Sequence, residues 1–177
     1  MQQEHRRAVK LLKRRDDDNA VRWHDRGLTP APPVSEARLA EVQVRLGVRL
    51  PEDYLDVVRI HQGGAPDRDM LTLPDGTETS FSALLHLEDE PAELNLVHVV
   101  ESSDALYGKL IPFAVDRDGN YFCFDYRGET SRSSAETRWN RPVVLVAADN
   151  PVGEPQSVAG GFSELLDSLR GVVATSR

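Results

Sequence analysis

Two stretches of this 177-residue sequence concentrate side chains capable of chemistry. EDEPAE carries Glu88, Asp89, Glu90 and Glu93, and IPFAVDRDGNYFCFDYRG, residues 111–128, carries Asp116, Asp118 and Asp125 among five of the eleven aromatic residues. Paired carboxylates serve general acid–base catalysis when a pocket gives them divergent environments. The first run instead flanks Pro91 at an element boundary, where a solvated loop or a docking patch for a basic partner is expected.

For a helix-loop-helix calcium site, glycine belongs at the sixth loop position and glutamate at the twelfth. Counted from Asp116, Gly119 is fourth and Arg127 twelfth, so the motif fails. A platform for single-stranded nucleic acid needs exposed aromatics interleaved with basic residues; here only Arg117 and Arg127 oppose the three aspartates. A core hairpin remains, with Ile111, Phe113 and Val115 on one face of the first strand and Phe122, Phe124 and Tyr126 on one face of the second. DRDGN is then the turn, with Gly119 at positive φ.

The five histidines, His5, His24, His61, His86 and His98, show no spacing that puts two metal ligands on one helix face. Cys123 alternates to the side opposite Phe122 and Phe124, where a buried thiol is expected rather than a nucleophile. No serine lies in a Gly-x-Ser-x-Gly elbow. Gly63-Gly64 is not followed by Gly-Lys-Ser/Thr and makes no phosphate loop. No catalytic residue, metal or cofactor is therefore assigned.

These stretches need elements to hold them. Residues 5–15 place Ala8, Val9, Leu11 and Leu12 on one side of a short amphipathic helix, and GLTPAPPVS, residues 27–35, reads as a linker. Ser35 can cap a helix over 36–46, buried through Leu39, Val42 and Leu46 and stopped by Gly47. Pro51 opens a second helix with Tyr54, Val57 and Val58 inward, ended by the glycine pair. MLTL and TSFSALLHLE read as two strands about an Asp75-Gly76 turn. A helix follows over roughly 92–105, with a strand as the alternative for its β-branched LVHVV, then the hairpin, a strand over 142–149, and a closing helix over 162–171 with Gly171 as its stop. The order predicts an α+β fold: an antiparallel sheet with helices packed on one side. The domain is expected at 35–171, between a 1–34 arm and linker and a 172–177 tail.

Composition bounds the function. Residues 1–15 carry six basic side chains against Glu4 alone, a net charge of +5, while the whole chain carries −8, which leaves −13 on residues 16–177. So acidic a body repels nucleic acid and attracts cationic partners. The longest apolar run, VVLVAA, is far shorter than the roughly 20 residues that span a bilayer. One cysteine and a start without a secretory pattern suit the cytoplasm.

Three segments in order, LGVRLPEDYLDVVRIHQGG, LIPFAVDRDGNYFCFDYR and PVVLVAADN with SVAGGFSELLDSL, resemble the SUKH superfamily in its yeast cell-wall-assembly-regulator type. The resemblance rests on Leu50, Pro51, Tyr54, Gly63, Gly64, Pro112, Phe113, Ala114, Gly119, Asn120 and Asp125, and covers roughly residues 35–170. It implies helices packed on one side of an antiparallel sheet and, in bacteria, an immunity protein that binds and neutralises a toxin domain, often a nuclease. It brings no catalytic residues. With the acidic body, it makes a cationic toxin domain the expected partner and Glu88, Asp89, Glu90, Glu93, Asp116 and Asp118 the expected contacts. The alternatives are a regulatory scaffold that binds a housekeeping protein and an enzyme whose site only tertiary folding assembles.

Overall fold

The structure is a computed structural model that describes residues 21–24, 31–89, 94–103, 106, 109–128 and 140–171. The amphipathic segment 5–15 and the tail 172–177 lie outside the described residues.

Helix α1, Glu36–Leu46, forms as its termini dictate. The Ser35 hydroxyl accepts the Arg38 N–H at 3.1 Å, and Gly47, at φ 68°, returns its N–H to Val44. Leu39, Val42 and Leu46 are buried. Helix α2, Glu52–His61, follows Pro51 and carries Glu52 and Asp53 in its first turn, where the helix dipole favours them. Its inward residues are Tyr54, Leu55 and Val58, whereas Val57, expected inside, is half-buried. The helix ends at His61, and Gly63 turns the chain at φ 72°.

Among the described residues nine strands follow or flank these helices. β1, Trp23–His24, pairs with β2, Ala65–Pro66, and β3, Met70–Thr72, pairs with β4, Glu78–Ser80, around Gly76 at φ 89°. The principal sheet has the order β5 (Ala83–Leu84), β6 (Leu110–Val115), β7 (Tyr121–Asp125), β8 (Val143–Val146), β9 (Gln156–Ala159), every pair antiparallel. The short helix α3, Leu96–Glu101, precedes β6, and α4, Phe162–Ser168, follows β9. The result is an α+β fold.

Four details depart from the pattern of the sequence. TSFSALLHLE is not one strand: the chain breaks at Phe81–Ser82, so that β4 serves the hairpin and β5 the sheet. Within the span expected as helix 92–105, the described residues form α3 only over Leu96–Glu101, where Asn95 caps it by accepting the His98 N–H. The closing helix ends at Ser168 rather than at Gly171. Leu169 is extended and buried, and Arg170 exchanges two backbone hydrogen bonds with Met70, drawing the chain onto β3. A bulge in β6 between Pro112 and Ala114 interrupts the expected alternation: Ala114 pairs with Phe122 and joins Ile111 and Phe113 in the core, while Val115 pairs with Tyr121.

The core lies between the helices and one face of the sheet. Tyr54, Phe113, Phe124 and Phe162 interlock there; Phe113 stacks on Phe124 at 4.2 Å between centroids, and Tyr54 meets Phe124 and Phe162 edge-on at 5.2 and 5.5 Å. Each such pair adds about 0.5–1.5 kcal/mol beyond area burial. The other face carries a smaller cluster of Val99, Leu106, Leu110, Cys123, Val144 and Val146. Helix α3 serves both, sending Leu96, Val97 and Val100 into the large core and Val99 into the small one.

Candidate interaction surface

The acidic run begins where β5 leaves the sheet. Arg38 of α1 holds its base: Nε donates to the Leu87 carbonyl at 2.7 Å and Nη2 to Asp89 at 2.6 Å, while Nη1 pairs with Glu41 at 3.0 Å. Buried Gln62 adds a second fastening, accepting the Leu87 N–H at 3.0 Å and donating to the Pro32 carbonyl. Asn95 supplies a third, its amide donating to the Glu88 carbonyl. Asp89 remains exposed but already carries an ion pair, and Glu88 is half-buried. Glu90 and Glu93 lie outside the described residues.

The second acidic group is divided in its roles. Asp116 is only 5% exposed, and its carboxylate accepts the N–H groups of Asp118 and Asn120, the Asn120 amide and the Thr79 hydroxyl, at 2.8, 2.8, 2.8 and 3.2 Å. It organises the β6–β7 turn from inside. Four donors already occupy the oxygens of this carboxylate, which the sequence marks as an expected partner contact. Asp118 is exposed and Gly119 has φ 84°.

The two groups leave β5 from opposite ends. Asp116 follows Val115, which pairs with Ala83 at the start of β5, whereas Glu88 and Asp89 continue beyond its end at Leu84. Around Asp118 the fold gathers turns from three hairpins. The Ser80 hydroxyl accepts the Arg117 N–H, the Asn120 side-chain Oδ1 accepts the Ala148 N–H at 3.2 Å, and Gln156 donates to Asp75. Asp75 and exposed Asp149 thereby join the end of the sheet that bears Asp118. The Asp75-Gly76 turn is legible in the sequence; its contact with β9 is not, because β9 has no strong pattern of its own.

Most residues of the family pattern build the scaffold. Leu50 is buried and donates its N–H to Gln43; Pro112, Phe113 and Ala114 form the bulged strand; Asn120 bridges two turns. Asp125 receives the Arg127 N–H, Nε and Nη2 at 2.9, 3.0 and 2.8 Å, and these bonds hold its carboxyl below the usual range. Cys123 is fully buried, which pushes its thiol well above the usual range and away from nucleophilic use. Among the described residues no cluster of three histidine, cysteine or carboxylate side chains is placed to hold a metal, and no helix is long and apolar enough to cross a membrane.

An open groove of about 570 Å³ lies between the end of α1 and the start of α2, lined by Ala40, Val44, Val48, Leu50 and Leu55. Its polar rim is Gln43, Arg49 and Glu52, and the Gln43 side-chain Oε1 already accepts the Leu50 N–H. The groove thus lacks a base paired with a nucleophile.

A search of curated proteins gives no match. The pattern that runs from the segment before α1 into α4 is nevertheless that of a known family, with Trp23–His24 outside it although β1 pairs with β2. Matched over residues 33–168, the chain belongs to the SMI1/KNR4 family (SUKH-1).

Proposed function

We propose that this protein is a non-enzymatic binding module, an immunity protein that captures and neutralises a cationic toxin domain in the cytoplasm. The family is generally non-enzymatic and points to protein–protein interaction. The observation that carries the reading is where the negative charge sits. Residues 36–61, which hold α1 and α2, carry five acidic side chains against four arginines, whereas residues 62–171, which hold β2 to β9, carry 19 against 8. The strands and their loops are the acidic half. Carboxylates presented there complement the basic cleft that an enzyme acting on nucleic acid needs.

Glu88, Asp89, Glu90 and Glu93 form one proposed contact region and Asp118, with Asp75 and Asp149, the other. Affinity capture with this protein as bait, in moderate and in high salt, tests the reading. The expected result is one dominant cationic partner at stoichiometric yield, lost as salt rises. Replacing Glu88, Asp89, Glu90 and Glu93 with lysine is expected to weaken that capture on the order of tenfold or more, given about 0.2–1 kcal/mol per exposed pair. Unchanged binding removes this patch from the interface.

A scaffold would use the basic arm as a separate docking element. Deletion distinguishes the two, and β1 sets where the deletion must stop. Removing residues 1–20 spares Trp23, which stacks on His61 at 6.0 Å, and an immunity protein so shortened still neutralises its toxin. Loss of the partner on this deletion would favour the scaffold.

A further inference from the structure

His86 is the one buried histidine among the described residues, only 1% exposed, and neither Nδ1 nor Nε2 has a hydrogen-bond partner. Its backbone is at the same time a junction. The His86 N–H donates to the Leu94 carbonyl at 2.9 Å, and the His86 carbonyl accepts the Leu96 N–H at 2.9 Å. These bonds place Asn95, the cap of α3, beside His86 in a parallel bridge. One residue thus fastens α3 to the segment that continues from β5.

We propose that His86 is a proton-sensitive latch: its neutral imidazole fits the interior, and protonation detaches the start of α3 from the segment following β5. An imidazolium has two N–H donors and needs acceptors, and among the described residues neither ring nitrogen has one. The neighbouring charges do not supply them. On its own segment Glu88 favours the charged form, but burial is the larger effect and disfavours it. Asp89 is committed to Arg38, and Arg38 of α1 adds a positive charge at the Leu87 carbonyl. At the end of α2 stand the uncharged amide of Gln62, which accepts the Leu87 N–H, and His61, which stacks on Trp23. Helix α3 presents exposed His98 and Glu101, with Glu101 paired to Arg45 at 2.9 Å. On the sheet side the preceding Leu85 donates its N–H to the carbonyl of buried, apolar Phe113.

The sign follows from linkage. Burial holds the imidazole below its ordinary value, so the open state binds the proton more tightly than the closed one. The latch is therefore fully closed above the ordinary histidine value of about 6.5 and weakens as pH falls below it. With an open-state imidazole of ordinary affinity, the opening equilibrium rises between pH 7.5 and pH 5.5 by a factor whose ceiling is roughly ten.

Hydrogen–deuterium exchange on the whole chain tests the latch without any partner, so its outcome is separate from that of the toxin reading. After correction for intrinsic exchange, the amides of Leu96, Val97 and His98 are expected to lose protection by up to about tenfold at pH 5.5 while those of β7 and β8 do not. His86→Leu, which removes the titrating group and fills the site with an apolar side chain, is expected to abolish the difference. Equal protection of wild-type α3 at both pH values, or the same loss in His86→Leu, would overturn the proposal. Should that variant not fold, an NMR titration of the wild-type His86 ring decides. A midpoint below 6.5 that coincides with shifts of the α3 amides supports the latch, and an ordinary midpoint with unmoved α3 amides refutes it.

Discussion

At the scale of single residues, two buried polar groups, Tyr54 of the family pattern and Asp116 of the β6–β7 turn, behave in opposite ways. The Tyr54 hydroxyl lies in the aromatic core with no hydrogen-bond partner, and burial raises it far above the usual phenol range. An unsatisfied buried hydroxyl costs stability, so Tyr54→Phe is expected to leave the fold intact and raise stability by up to about 1 kcal/mol, read by urea unfolding. Tyr54→Ala, which removes a ring in contact with Phe113, Phe124 and Phe162, should cost about 3–5 kcal/mol in the same measurement. Asp116 is the satisfied counterpart, with four donors on two oxygens. Asp116→Ala should destabilise by about 2–4 kcal/mol, and the loss should appear in thermal unfolding of the free protein. A variant that folds as well as wild type but binds more weakly would return Asp116 to the interface.

At the scale of elements, junctions hold more than the elements do. Helix α4 has seven residues and a glycine at its N-cap, so its start depends on Asp53 of α2, whose Oδ2 accepts both the Ser163 N–H and its hydroxyl at 3.0 and 2.7 Å. Asp53→Ala is expected to cost about 1–2 kcal/mol, with exchange protection lost first in α4. At the end of α2 the requirement is steric. A Cβ on Gly64 would sit 2.8 Å from the His61 carbonyl oxygen, so Gly64→Ala should destabilise by about 1–3 kcal/mol, read by thermal unfolding. Helix capping was legible at Ser35 and Gly47 because those signals are local. The end of α4 was not, since Met70, about a hundred positions earlier, decides it through paired backbone bonds with Arg170.

At the scale of the whole molecule, stability should fall in two stages on acidification. Asp125, held low by its hydrogen bonds to Arg127, contributes stability that is present above the ordinary aspartate value of about 3.9 and lost as pH falls below it. His86, held low by burial, favours the fold above about 6.5 and begins to oppose it below. Thermal unfolding across pH 3–8 should therefore show a plateau above neutrality, a first decline below 6.5 that His86→Leu removes, and a second below about 4. The chain by itself determined the class of the fold, the two long helices with the Ser35 and Gly47 caps of the first, the central hairpin with its Gly119 turn, and the acidic balance. Capping, turn chemistry and alternation act between neighbours and need no distant partner. Tertiary structure alone decided the rest: the bulge that brings Phe113 and Ala114 into one core, the split of β4 from β5, and the pairing of β1 and β9. It also decided which carboxylates face outward. Asp116 and Asp118 are two residues apart and chemically alike in the sequence, and only the donors that fold around Asp116 take it inside.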